Sequence, residues 1–180
     1  PGDEVIVSPW TMSASATAIL HWNAIPVFAD IEKETFNLDP KSIEANITPY
    51  TKAIMAVDIF GHSADMDAIM EIAKKHNLYV IEDNAQAIGS DYHLTDGSVV
   101  KTGTIGDIGC TSFFPSKNLG CYGDGGSLMT NDDELANKMR MIANHGQERK
   151  YHHKVLGCNS RLDTIQAAIL NIKIKQLVKD

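Results

Sequence analysis

The sequence predicts an α/β domain with a mainly parallel sheet, on two observations. Helical patterns alternate with short apolar strands three times between Glu4 and Ile81. The run Ala53, Ile54, Met55, Ala56, Val57 is continuously apolar, as expected of a strand buried on both faces. Connections between parallel strands run through helices, and such crossovers are right-handed.

In chain order, Glu4 to Val7 reads as a strand, and Ser8-Pro9 turns it into a helix from Met12 to Trp22, whose small residues suit close packing on a sheet. Pro26 to Ala29 is the next strand. Asp39 is an N-cap and Pro40 the first helical residue of a short helix to Asn46. Lys52 to Ile59 is the buried strand. Asp65 caps a helix to His76, with Met66, Ile69, Met70 and Ala73 at helical spacing, and Asn77 closes it. Leu78 to Ile81 is a further strand that delivers Glu82 and Asp83 at its carboxyl end. Tyr92 to Lys101 is a polar excursion, a hairpin around Asp96-Gly97.

Ile108 to Phe114 reads as a strand that Pro115 breaks, and Gly126 to Met129 as another. Asp132 or Asn131 caps a helix from Asp133 to Asn144, stopped by Gly146. His145 to Gly157 is charged and reads as a loop. Arg161 to Lys179 is an amphipathic helix. Both termini read as cut points within a longer enzyme, since Pro1-Gly2 leads directly into a strand and the last helix has no stop signal.

The composition is that of an ordinary globular protein, 43% hydrophobic and 22% charged over 180 residues. A net charge of -7 with no Lys/Arg stripe argues against nucleic acid or an anionic membrane and favours a small-molecule ligand. Cys110, Cys121 and Cys158 form no CxxC pair, which fits a reducing cytoplasm. No apolar run is long enough to span a membrane. The histidines show no metal-ligand spacing, and neither dinucleotide and P-loop signatures nor a nucleophile elbow occurs.

Two stretches carry chemistry. In Thr111 to Gly126, Lys117 stands just past a strand's carboxyl end, where open α/β sheets build their sites. Its neighbours Phe113, Phe114, Pro115, Leu119 and Tyr122 would partly desolvate it. Partial desolvation disfavours an ammonium, and a neutral amine can attack a carbonyl. Taken alone, the stretch reads as a surface turn with a solvated lysine. In Ile81 to Ser90, Asp83 ends a buried strand, and taken alone it reads as the N-cap of a following helix. Together, a lysine and a carboxylate at one sheet edge point to pyridoxal phosphate, whose ring nitrogen needs an anion beside it to act as an electron sink. Ser112, the amides of Ser116 to Gly120, and Gly123, Gly125 and Gly126 are candidate phosphate donors, although glycines also mark turns.

The segments PGDEVIVSPWT, IPVFADI, ITPYTKAIMAVDIFG, ADMDAIMEIAKKHNLYVIEDNAQAIGS, SFFPSKNLGCYGDGG and GCNSRLDTIQAAIL, in this order, closely resemble the DegT/DnrJ-type sugar aminotransferases. The resemblance covers nearly the whole chain. It implies a three-layer α/β/α large domain of the fold-type I pyridoxal phosphate transferases. It also implies transfer of an amino group from glutamate to a nucleotide-linked keto sugar, by a homodimer with shared active sites. Residues 1–180 would be the major part of that domain, without the family's N-terminal Gly-Thr phosphate segment and C-terminal small domain. The isolated piece is then expected not to bind cofactor by itself.

By the same resemblance Lys117 holds the cofactor and Asp83 pairs with its ring nitrogen. Gln86 lies near the ring oxygen, Ser112 contacts the phosphate, and Asn159 or Arg161 reaches the partner subunit's phosphate. Their ordinary readings are a helix-cap amide, a strand hydroxyl and a turn residue. Met12 occupies the place where many members stack an aromatic on the cofactor. Its thioether would pack on the ring, Trp10 would substitute from a shifted turn, or Met12 is plain core. Asn84 replaces the usual alanine. Rivals are a related sugar dehydratase, against which Lys117 argues because those relatives carry histidine there, and a non-catalytic regulator that retains the pocket. Which sugar is aminated, for polysaccharide, O-antigen or antibiotic, stays open, and residues 145–153 read as substrate contacts or plain solvated loop.

Overall fold

The computed structural model describes residues 1–177, and the chain divides into two compact units, one of Pro1–Thr111 and one beginning at Ser112. The first unit runs β1 (Glu4–Val7), α1 (Ser13–His21), β2 (Ile25–Phe28), α2 (Pro40–Ala45), β3 (Thr51–Val57), α3 (Met66–His76), β4 (Tyr79–Asp83), β5 (Asp91–His93), β6 (Val99–Lys101) and β7 (Ile108–Ser112). Its sheet has the order β2-β1-β3-β4-β7, and every one of these neighbouring pairs is parallel. β5 and β6 form the antiparallel hairpin expected around Asp96-Gly97.

Alternation along the strands builds three layers. Ile6, Ile54, Ala56 and Val80 point to one face and pack with Ile43 of α2 and with Met66 and Ile69 of α3. Val7 and Met55 point the other way, onto Ile19 of α1, with Val5 and Ile81 beside them. β3 is buried on both faces, as its unbroken apolar run requires. Local chemistry sets the helix starts. Asp39 accepts from the Lys41 N–H at 2.9 Å, and Asp65 from the Ala68 N–H at 3.2 Å. Such caps contribute about 1 kcal/mol each. Asn77 ends α3 in the left-handed conformation, φ 55°.

Several boundaries differ from the sequence expectation. β3 stops at Val57 rather than Ile59: the Asp58 N–H makes the last bond to β4, at the Asp83 carbonyl, and the chain then turns, with Phe60 at φ 57°. β4 runs on through Asp83, held by pairing of Val57 with Asp83. No helix follows Asp83; residues 84–89 form turns. α1 is one residue shorter at each end than expected, with Met12 and Trp22 as its caps, and β2 begins one residue early.

The second unit contains β8 (Gly126–Met129), α4 (Asp133–Ala143), β9 (Gln147–Arg149), β10 (His152–His153) and α5 (Thr164–Lys173). Asp132, of the two expected candidates, caps α4 by accepting the Glu134 and Leu135 N–H groups. Residues 145–157, expected as a loop, contain the antiparallel β9–β10 hairpin. α5 is shorter than the expected 161–179, whose last residues lie outside the described ones. β7 ends at Ser112 rather than Phe114, because Phe113 turns its N–H to the Gly125 carbonyl, 2.7 Å away.

Beneath the carboxyl end of β4 lies a buried pair of acids. Glu82 is fully buried on the face of Val80 and accepts the N–H groups of Gly103, Ile105 and Gly106. Asp58 is also fully buried, yet its Oδ1 accepts only the Ala64 N–H, and its Oδ2 has no partner among the described residues. Burial first, and the negative Glu82 second, push the Asp58 carboxyl up from its ordinary 3.8 to about 7. The folded state therefore binds a proton that the unfolded state has released between those values, so stability falls as pH rises through that window. Asp58→Asn should remove this slope and raise the melting temperature relative to wild type at pH 8 but not at pH 4. The difference is worth at most about 4 kcal/mol. Parallel pH–stability curves for the two proteins would refute it.

Candidate active site

In the first unit the site is built at the carboxyl end of β4. Asp83 lies on the α1 side of the sheet, like Ile81 two residues before it. Its Oδ2 accepts from the Ser15 hydroxyl of α1 at 2.8 Å, and its Oδ1 from the Ala85 N–H at 3.1 Å. Ser15 is itself buried and bonded to the Thr11 hydroxyl, 3.0 Å away. The carboxylate is thus fixed from two sides, and it caps a turn rather than the expected helix. Gln86, in that turn, accepts the Phe60 N–H through Oε1 at 2.7 Å and so pins the loop after β3; it caps no helix.

Met12 is the N-cap residue of α1 and is 65% exposed, so it is not part of the core. Trp10 is half exposed, its ring 6.0 Å from that of Phe36. Asn84, the residue without an evident purpose in the sequence, is buried and structural. It donates to the Thr102 carbonyl at 3.2 Å and accepts the Thr102 hydroxyl at 2.9 Å. A Cβ on Gly103, which has φ +81°, would come within 2.6 Å of it.

In the second unit Lys117 sits on a closed loop that begins where β7 ends. The Cys121 N–H and thiol both reach the Phe113 carbonyl, at 2.8 and 3.0 Å, and the Lys117 N–H donates to the Phe114 carbonyl at 2.9 Å. From α5, Lys173 donates to the Gly120 carbonyl at 2.6 Å and Gln166 to the Tyr122 carbonyl at 3.0 Å. Close packing explains two of the glycines. A Cβ on Gly120 would stand 2.4 Å from the Pro115 carbonyl oxygen, and one on Gly125 2.9 Å from the Cys121 sulfur.

Lys117 is half buried, and its ammonium makes no hydrogen bond or ion pair among the described residues. Of its apolar neighbours Leu119 is buried, whereas Phe114 and Tyr122 are exposed. Ser112, at the end of β7, accepts the Phe114 N–H through its hydroxyl at 3.2 Å. Asn159 is exposed and bridges Asn144, and Arg161 is exposed and paired with Asp163 at 3.3 Å.

Met12, Asp83 and Gln86 therefore belong to the first unit, and Ser112, Lys117 and Asn159 to the second. Sequence reasoning missed Ser15 and Thr11. The only signal for them was the run of small residues that opens α1.

The residues present fit pyridoxal phosphate on one observation in particular. Asp83, held at the end of β4 by the Ser15 hydroxyl and the Ala85 N–H, has no Lys or Arg partner among the described residues. Such a carboxylate can pair with a cation, which the protonated ring nitrogen supplies.

Fold and chemistry place the chain among the fold-type I enzymes, whose cofactor is pyridoxal phosphate. The model of the DegT/DnrJ/EryC1/StrS aminotransferase family matches residues 1–179, and the chain belongs to that family. It is 55% identical to a pleiotropic regulatory protein of Geobacillus stearothermophilus over 98% of the chain and 46% of the relative. It is 53% identical to UDP-2-acetamido-2-deoxy-3-oxo-D-glucuronate aminotransferase of Pseudomonas aeruginosa over 97% of the chain and 47% of the relative. The solved structure of DesV from S. venezuelae superposes with a TM-score of 0.92 at 44% identity, covering 99% of the chain and 47% of DesV. The chain thus spans about half the length of the relatives it matches. No helix among the described residues is long and apolar enough to cross a membrane.

Proposed function

We propose that the chain is the cofactor-binding part of an aminotransferase that moves an amino group from glutamate to a nucleotide-linked keto sugar. The observation that carries this reading is the half-buried, unpartnered Lys117 on a braced loop just after β7, the strand paired with β4, which ends in Asp83. Bound pyridoxal phosphate would supply an electron sink for the carbon that gains or loses nitrogen.

Lys117 would hold the cofactor through Nζ and, once displaced by an incoming amine, carry the proton to and from the substrate carbon. Asp83, oriented by Ser15, would keep the proton on the ring nitrogen. Gln86 has its carbonyl engaged by Phe60, which leaves Nε2 to donate to the ring oxygen. The Ser112 hydroxyl would bind the phosphate. The exposed Met12 would lie on the ring, and Asn159 or Arg161 would reach the partner subunit's phosphate in a homodimer. The thiols of Cys110, Cys121 and Cys158 are unpaired, in keeping with a cytoplasmic enzyme.

The test is release of 2-oxoglutarate when the full-length, cofactor-loaded protein is given glutamate and a UDP-linked 3-keto sugar. A regulatory protein among the relatives supports one alternative, a cofactor-binding regulator. It would bind pyridoxal phosphate and release no 2-oxoglutarate, and that result would replace the enzyme reading.

A further inference from the structure

Three aromatic side chains that the proposed chemistry does not use stand together on the first unit. Trp10 is 50% exposed, Phe36 42% and Phe60 68%. The Trp10 and Phe36 rings are 6.0 Å apart and tilted by 34°, and the Phe36 and Phe60 rings are 6.3 Å apart and nearly perpendicular, at 76°. Apolar rings left in water are unfavourable, and here the backbone also bears strain to hold them. Phe36 has φ 62° and Phe60 φ 57°, a region that bulky residues avoid. Such strain persists where the surroundings enforce it, and it clusters at ligand sites.

The surroundings here do enforce it, through a polar side chain behind each ring. The buried Ser8 hydroxyl accepts the Trp10 N–H at 3.0 Å. Asn37, 3% exposed and next to Phe36, donates to the carbonyls of His62 and Ser63 and accepts the Ile59 N–H. It thereby ties the Phe36 segment to the Phe60 segment. Gln86 holds the Phe60 N–H. Phe60 further lines a cavity of about 420 Å³ together with His62, Tyr92 and His93.

The position matters as much as the rigidity. In the order β2-β1-β3-β4-β7 the chain moves outward from β1 to β2 and then crosses to β3 on the other side. The direction of winding therefore reverses between β1 and β3, and open α/β sheets bind ligands at the carboxyl edge of such a point. Trp10 follows β1 and Phe60 follows β3, so the two residues flank it.

We propose that Trp10, Phe36 and Phe60 form a stacking platform for the nucleobase of the nucleotide-linked substrate, an inference that rests on the aminotransferase reading above. The chemistry at Asp83 concerns the sugar end of that substrate, and its one planar apolar part is the base. Stacking also tolerates different bases, since each has a π-face. Relatives in the same family carry names with UDP-, dTDP- and GDP-linked sugars.

The experiment titrates the full-length holoprotein with UDP and measures its dissociation constant in wild type, Trp10→Leu, Phe36→Leu and Phe36→Tyr. Removing one stacking ring should weaken UDP roughly 5- to 150-fold, the equivalent of 1–3 kcal/mol. Phe36→Tyr, which keeps the ring, should stay within about twofold of wild type. Unchanged UDP affinity in both leucine variants overturns the platform, as does failure of the wild-type holoprotein to bind UDP. A change of oligomeric state with unchanged UDP affinity also overturns it and assigns the rings to a subunit contact. The glutamate half-reaction of wild type, which needs no nucleotide, is measured in parallel. Its absence counts against the aminotransferase reading, whereas its presence with unaltered UDP binding counts against the platform alone.

Discussion

Lys117→Ala in the full-length protein should abolish the visible absorbance of lysine-linked cofactor and lower transamination by about 10³-fold or more. The expectation follows from two tasks that no nearby group can take over. One is the covalent link through Nζ, and the other is proton transfer at the substrate carbon, which alone contributes typically 10²- to 10⁴-fold. Among the described residues the loop from Phe113 to Gly125 contains no second lysine, and Lys173 is committed to the Gly120 carbonyl. The loop's shape rests on backbone bonds and on Cys121, not on the Lys117 side chain, so the variant should fold as wild type. Loss of activity together with loss of thermal stability would mark Lys117 as structural.

Asp83→Asn should be nearly as severe, for an electrostatic reason. An anion about 4 Å from a cation in a partly screened site is worth about 4 kcal/mol, and that corresponds to about a thousandfold in rate. Asparagine has the same shape and can keep the Ala85 contact through its carbonyl, while its amide donates to the Ser15 hydroxyl oxygen instead of accepting from it, so the substitution removes charge more than structure. The expected signature is a large fall in kcat with a shifted pH profile of the cofactor's absorbance, at unchanged melting temperature. A variant with wild-type kcat would show that Asp83 does not face the ring.

Much of the fold is legible in the sequence, because the devices that set it are local. Asp39, Asp65 and Asp132 announce their helices through cap chemistry that spans two or three residues. The apolar run of β3 announces burial on both faces. What the sequence conceals is decided at long range. The helix expected after Asp83 is replaced by turns in which Asn84 bonds Thr102, eighteen residues on. The contact that orients Asp83 comes from Ser15, 68 residues away. The hairpin of residues 147–153 carries charged and polar strands without apolar alternation, so nothing in its pattern distinguishes it from a loop. Of the candidate site, Lys117 and Asp83 stand out because each ends a strand-like segment with chemically active residues. Trp10, Phe36 and Phe60 do not, since they are scattered in sequence and gather only through the turns that Asn37 and Gln86 hold.

Lys117 is the expected point of attachment. The full-length protein should be loaded with pyridoxal phosphate, reduced with borohydride to fix any carbon–nitrogen link, digested and mapped by mass spectrometry. The expected result is the cofactor's mass on the peptide that contains Lys117 and on no other. Attachment at a different lysine, or a loaded protein with no covalent cofactor after reduction, would contradict it.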